Sequence, residues 1–300
     1  IRALKAIREQ ERVTLVTTFD ALMNTMAPIE KMWENVLTLE QGQLLDLKEI
    51  QAALIRMGYE KEYQVQTMGQ FSVRGGILDV FPLTEENPIR IELWGDEIDT
   101  IRYFDYESQK SIENTDRVSI YPAAELVLSD EEKAGGIEKL KAEAKRVSDK
   151  LRKQMKTEEA HRVTVMADEL TEEWGELSMY AGMDAFLSYF FAERVGLLDY
   201  FNPSDSLIFF DELTRCTEQG KLTETEFSES MKQRLAMGYI LPGQMNGLFT
   251  EKEIVAKLGK YSCIALAALD NKANGLHQLG SYGIHCQSVS PYNNSFELLI

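Results

Sequence analysis

The apolar positions of the chain change period several times, and the changes divide it. Ile1, Leu4 and Ile7 stand at helical spacing, and the β-branched run Val13-Thr14-Leu15-Val16-Thr17-Thr18 follows. Residues 19–26 return to a helical pattern with Asp20 near the start. Helix, strand and helix in succession is the unit from which parallel α/β sheets are built. Leu47, Ile50, Leu54 and Met57 share one face of a further predicted helix, and Gly58 supplies its stop. From residue 63 to 122 the texture is alternating, punctuated by glycine and proline and rich in β-branched and aromatic residues. It predicts strands over 63–67, 70–74, 77–81, 89–94, 98–103 and 118–121, with Gly95-Asp96 as a hairpin turn.

Residues 130–174 are charged and helical. Ile137, Leu140, Ala144, Val147, Leu151 and Met155 step by threes and fours into a narrow apolar seam. Fewer than three clean heptads favour a solvated helix lying along its own domain over a coiled coil. Residues 178–201 are aromatic-rich and read as buried helix ending at Asn202-Pro203. The continuous runs Leu207-Ile208-Phe209-Phe210 and Cys263-Ile264-Ala265-Leu266-Ala267-Ala268-Leu269 read as parallel strands covered on both faces. The fold class expected is therefore α/β, a parallel-sheet domain interrupted by an inserted, mainly antiparallel β domain. The pieces are residues 1–60 (first part of the α/β domain), 61–125 (the β domain), 126–204 (a helical or mixed domain) and 205–300 (the returning α/β segment).

Composition narrows the function classes. With 44% hydrophobic and 27% charged residues the chain is that of a soluble globular protein. No apolar run approaches the roughly 20 residues of a membrane span, and Arg2, Lys5 and Arg8 precede no apolar signal core. The expected compartment is the cytoplasm, with no membrane partner. The chain has no initiator Met and stops at Ile300 within Phe296-Glu297-Leu298-Leu299-Ile300, so it reads as a piece of a longer protein. Cys216, Cys263 and Cys286 form no CxxC pair, and His277, His285 and Cys286 lack the second pair a metal site needs. The net charge of −17 makes nucleic acid a poor direct partner and favours a protein with a basic or mixed surface.

Two constellations carry candidate chemistry. Asp211-Glu212 closes an apolar strand, where nucleotide hydrolases place the magnesium ligand and the residue that polarises water. The phosphate-cradling sequence G-x-x-x-x-G-K-[ST] that this chemistry needs does not occur, Gly259-Lys260-Tyr261 being the nearest scrap. The pair is structural or the remnant of a nucleotide site. No G-x-S-x-G, G-x-G-x-x-G or H-E-x-x-H sequence is present either. The second constellation is Phe71-Ser72-Val73-Arg74-Gly75-Gly76-Ile77-Leu78-Asp79-Val80-Phe81-Pro82 with Ile89-Arg90-Ile91-Glu92-Leu93-Trp94. Alternation sends Ile89, Ile91 and Leu93 to one face and Arg90, Glu92 and Trp94 to the other. An arginine and a tryptophan on an outer face are either a binding anchor pair or a surface Trp packed over the Arg stem.

These two stretches, continued by Gly95-Asp96-Glu97-Ile98, resemble the bacterial transcription-repair coupling factors (the Mfd family) in the part that mimics the excision-repair protein UvrB. Phe104-Asp105 with Ser108-Gln109, Ile120-Tyr121-Pro122-Ala123, Tyr200-Phe201 and Tyr292-Asn293-Asn294-Ser295-Phe296-Glu297-Leu298-Leu299 follow in the family's order. The resemblance implies a RecA-like α/β domain broken by an inserted β domain and a further α/β domain, a UvrB-like module. It further implies that the β domain binds UvrA through Arg74, Arg90 and Trp94, the last standing where the family usually has Phe. On this reading the chain is a non-catalytic adaptor without a cofactor of its own. ATP and magnesium, RNA polymerase and double-stranded DNA belong to parts of the family's longer proteins C-terminal to it. UvrB, an ATP-dependent damage-verification subunit, is the alternative. Its strand would continue D-E-S-H where this chain has Asp211-Glu212-Leu213-Thr214, and its Tyr-rich DNA-clamping hairpin has no equivalent between Asp168 and Phe201.

Overall fold

A computed structural model describes residues 1–9, 12–176, 183–268 and 275–284. Helix α1 (Arg2–Arg8) is followed by α2 (Phe19–Met23), β1 (Thr25–Met26), α3 (Ile29–Glu34), β2 (Leu37–Glu40) and α4 (Leu47–Arg56). Asp46 caps α4 by accepting from the backbone N–H of Lys48 at 2.7 Å. Then come β3 (Glu60–Lys61), β4 (Gln70–Arg74), β5 (Ile77–Val80), β6 (Ile89–Trp94), β7 (Glu97–Phe104), β8 (Ser111–Thr115) and β9 (Arg117–Ile120). The second half contains α5 (Asp130–Lys153), α6 (Thr157–Glu176), α7 (Leu187–Phe190), β10 (Val195–Gly196), β11 (Leu207–Asp211), α8 (Leu213–Ala236), α9 (Glu251–Leu258) and β12 (Ser262–Leu266). The fold is mixed α/β. No helix among the described residues is long and apolar enough to cross a membrane.

The largest sheet runs β3-β4-β5-β6-β7-β8, antiparallel except for the short parallel β3–β4 pair. Its inner face (Phe71, Leu78, Val80, Ile89, Ile91, Ile101) is buried against Ile50, Leu54 and Met57 of the α4 region. Leu39 of β2 and Val118 and Ile120 of β9, which pair antiparallel, enter the same core. That core therefore reaches back to β2 and α4, before the change of texture at residue 61. Helix α1 docks onto the sheet's loops, with Lys5 paired to Glu85 at 3.1 Å and Arg2 Nε donating to the Leu83 carbonyl at 2.8 Å.

Helices α5 and α6 form a second core with α7 and Leu241. The parallel pair β11–β12 packs Ile208, Phe210 and Cys263 against Phe19, Leu22, Ile254 and Leu258.

The structure corrects several sequence expectations. Residues 12–18 form no strand and pair with none among the described residues, because β propensity cannot supply a ladder partner. The strand expected over 63–67 is irregular backbone, and the pairing at that edge is made by Glu60–Lys61 instead. β8, the polar Ser-Ile-Glu-Asn-Thr, was not predicted; pairing to β7 makes it a strand where its apolar pattern does not. The region 130–174 is two helices, broken where Met155 takes φ +62; it is 86% exposed and off the seam it was assigned to. The β11–β12 pair is parallel as expected but, among the described residues, covered on one face only, with Leu207, Phe209, Ile264 and Leu266 exposed on the other. The expected helix over 178–201 lies partly outside the described residues; its described part holds two short 3-10 turns, α7 and β10. His285, Cys286 and residues 292–299 also lie outside them.

Adjacent glycines in α5 offer a test of this packing. A Cβ on Gly136 would lie 2.1 Å from the Phe190 ring, whereas one on Gly135 meets nothing within 4 Å. Gly135→Ala is expected to stabilise by about 0.5–1 kcal/mol and Gly136→Ala to destabilise by about 1–3 kcal/mol, read by urea unfolding.

Candidate functional site

The inner face of the large sheet is apolar, so its register fixes what stands on the outer face. Ser72 of β4 pairs with Asp79 of β5, Asp79 with Arg90 of β6, and Arg90 with Arg102 of β7. The next row is Arg74, Ile77, Glu92 and Thr100. The β4–β5 hairpin turns in two residues, Gly75-Gly76, with Gly75 at φ +58 as the first central position of such a turn demands. That turn brings Arg74 back over the row that contains Asp79.

Asp79 is the centre of the site. Its carboxylate is 1% exposed and accepts from two arginines. Arg90 donates bidentately, Nε to Oδ1 at 2.7 Å and Nη2 to Oδ2 at 2.8 Å, and Arg74 Nη2 donates to Oδ2 at 2.7 Å. A paired arginine fork on a carboxylate is the strong, geometrically specific form of this contact. The Arg90 guanidinium also lies 4.2 Å from the centre of the Phe104 ring, and its Nη2 donates to Gln109 Oε1 at 2.8 Å. With 12% of its side chain exposed, Arg90 is largely committed within the domain. The Asp79 hydrogen bonds hold its guanidinium still more firmly protonated, against the opposing effect of burial. Arg74 is 33% exposed and uses one nitrogen on Asp79, which leaves donors facing outward.

The loop after β7 supports Arg90 from the far side. Asp105 Oδ1 accepts from the Ser108 hydroxyl at 2.5 Å and from the Ser108 backbone N–H at 2.7 Å, and these contacts hold its carboxyl below the usual range. Gln109 sits at φ +60, its Nε2 donating to the Tyr106 carbonyl at 2.7 Å. Arg102, directly opposite Arg90, turns to Glu92 instead, with Nη1 at 2.9 Å from Oε2. These two rows thus carry three arginines, Arg74, Arg90 and Arg102, against two carboxylates, Asp79 and Glu92, in a chain of net charge −17.

Trp94 occupies a different position. A bulge at Asp99 shifts the β6–β7 register between Glu92 and Leu93, after which Leu93 pairs with Ile98 and Trp94 with Glu97. Trp94 is 84% exposed and stands about 13 Å along the strand from Arg90. The aromatic that packs over the Arg90 guanidinium is Phe104, not Trp94. Trp94 instead borders an open concavity of about 700 Å³ with Glu40, Glu97, Asp99, Asp116 and Arg117. The structure therefore gathers Arg74 and Arg90 into one cluster and sets Trp94 apart as a projecting ring. Asp79, Phe104 and Gln109 stand in the stretches that carry the resemblance but were not named as site residues; the one local signal was Asp79, an acid three residues beyond the Gly-Gly turn.

Asp211 ends β11 and is exposed. Glu212 has φ +58 and commits its groups to the end of β12 and the residues after it: its N–H donates to the Leu266 carbonyl at 2.8 Å, and its Oε1 accepts from the Ala268 N–H at 2.8 Å.

The charge-clamped rows and the projecting aromatic lie on one six-stranded, mainly antiparallel sheet. Residues 37–126 match the family of UvrB interaction domains. The chain is 33% identical to the transcription-repair-coupling factor of Bacillus subtilis over 231 residues, 77% of this chain and 19% of the relative. It is 28% identical to that of Staphylococcus haemolyticus over 251 residues, 81% of the chain and 20% of the relative. With Staphylococcus aureus USA300 it shares 31% over 231 residues, covering 76% and 18%. The chain spans about a fifth of the length of these relatives. The resemblance read from residues 70–98 holds, and the chain is a relative of the transcription-repair coupling factors.

Removing Asp79 leaves Arg90 without its buried counter-charge. Asp79→Ala is expected to destabilise by about 3–5 kcal/mol. Trp94→Ala, at an exposed tip, is expected to change stability by no more than about 0.5 kcal/mol. Urea unfolding of the two variants beside the parent measures both.

Proposed function

We propose that this chain is the module of a transcription-repair coupling factor that recruits UvrA to stalled RNA polymerase in transcription-coupled nucleotide-excision repair. The observation that carries the reading is the Arg74–Asp79–Arg90 cluster, with its arginines fixed before any partner arrives and an 84% exposed tryptophan beyond it. Ordering long side chains at an interface costs about 0.5–1.5 kcal/mol each, and Asp79 removes most of that cost for two arginines in advance. Arg74 and Trp94 are the direct contacts to UvrA, and Arg90 acts mainly by holding Asp79, and through it Arg74, in place. The match of residues 37–126 to UvrB interaction domains supports placing the docking site here.

The module is an adaptor of the cytoplasm. RNA polymerase, double-stranded DNA, ATP and magnesium are assigned to other parts of the longer protein. Asp211 and Glu212 are read as a degenerate nucleotide site. The Glu212–Ala268 hydrogen bond supports that reading, since it occupies the carboxylate that a magnesium–nucleotide complex would need. The surrounding α/β parts are read as RecA-like, on the parallel β11–β12 pair with α8 and α9 in the connection between its strands.

Titration of UvrA at fixed salt tests the assignment. Arg74→Glu and Trp94→Ala are each expected to weaken binding by about 2 kcal/mol, roughly thirtyfold, without loss of folding. Binding of both variants with the parent's affinity would overturn it.

A further inference from the structure

The acidity of the chain is not evenly spread. Residues 139–156 contain eight lysines and arginines against two carboxylates, Glu143 and Asp149, a local charge of +6. The total is −17, so the remainder carries −17 − 6 = −23. Most of this segment is the C-terminal half of α5.

Lys139, Arg146, Lys150 and Lys153 follow one another at spacings of 7, 4 and 3 residues, which lines them along one side of the helix over about 21 Å. Lys141, Lys145 and Arg152 form a second line at spacings of 4 and 7. The apolar seam of Leu140, Ala144 and Leu151 is buried, and all seven cations of the two lines are exposed. Glu143 falls near the first line, but its carboxylate turns inward, accepting from the Tyr189 hydroxyl and from the Gly243 N–H at 3.0 Å. Its contact with Arg146 is 3.7 Å, and Arg152 meets Asp149 at 3.9 Å. Among the described residues the six lysines of the segment have no carboxylate within ion-pairing distance.

We propose that the exposed face of α5 makes a further contact with double-stranded nucleic acid, on its phosphate backbone and without reading sequence, beside the one assigned above to other parts of the longer protein. Lysine is depleted at protein interfaces, whose centres need aromatic or arginine anchors in desolvated pockets, and these lines offer mostly lysine and no aromatic. Phosphates suit flexible point charges strung along a straight rod. Five of the seven cations are lysines, point charges that suit phosphate oxygens, and no Asn or Gln stands among them to pair with a base edge, so the contact positions and does not specify. The net charge does not decide against this, because charges more than a Debye length away, about 8–10 Å at physiological salt, are largely screened.

The test is fluorescence anisotropy of the 300-residue chain with a 20-base-pair duplex of arbitrary sequence, across 50–200 mM salt. Four phosphate contacts give an expected slope of log affinity on log salt of about −3.6, roughly a hundredfold loss over that range. Lys139→Glu/Lys150→Glu/Lys153→Glu should lose at least tenfold at 50 mM salt, and the matching Gln triple less. Lys221→Glu/Lys232→Glu, on exposed positions of α8, should bind as the parent. Trp94→Ala should also keep duplex binding, which separates this face from the UvrA-docking site. No duplex binding at 50 mM, equal losses in the α5 and α8 variants, or capture of polyglutamate but not of duplex would each overturn the proposal.

Discussion

A carboxylate with 1% of its side chain exposed lies between two guanidinium groups on the outer face of the large sheet. Burying a charge in this way costs several kcal/mol unless each lone pair finds a donor, and Asp79 finds three. The constraint runs both ways. Asp79 is tolerable only because the register sets it opposite Arg90 and the Gly75 turn returns Arg74 to it. The arginines in turn are ordered only because Asp79 is there. The apolar inner face sets that register, since a slip of one residue would send Ile89, Ile91 and Leu78 to solvent. Hydrophobic burial on one side of the sheet thus fixes electrostatic geometry on the other.

The same dependence explains what the sequence disclosed. Alternation in Ile89–Trp94 and the glycine turns are local signals, and they placed β4 to β7 and the outward residues of β6 correctly. Which acid meets which arginine depends on pairing across three strands, so Asp79 remained an ordinary strand residue until the register was known. Gln109 is further still from local inference: its contact with Arg90 needs a left-handed residue held by a loop that Asp105 caps. Where propensity spoke without a partner, at residues 13–18, it misled. Where pairing acted without propensity, in β8, the strand went unread. Met155 was assigned to the apolar seam on spacing alone, and the spacing continued past the point where the helix stops.

Charge is distributed to the same effect. An acidic body carries two local exceptions, the arginine row of the sheet and the lysine lines of α5. The first is neutralised almost completely from within, which makes it rigid and selective in what it accepts. The second is left open along a helix of mobile side chains, which suits a partner defined by charge density alone. Trp94 stands apart from both, projecting from a hairpin tip beside an acidic concavity, with few contacts within the chain to give up when a partner covers it.

The central claim is that Asp79 acts on docking through the arginines it orders. A double-mutant cycle on UvrA affinity, using Asp79→Asn and Arg74→Ala singly and together, tests it most directly. The account requires strong non-additivity, a coupling of about 1 kcal/mol or more, because without Asp79 the Arg74 side chain no longer arrives ordered. Losses that add to within about 0.3 kcal/mol would contradict it.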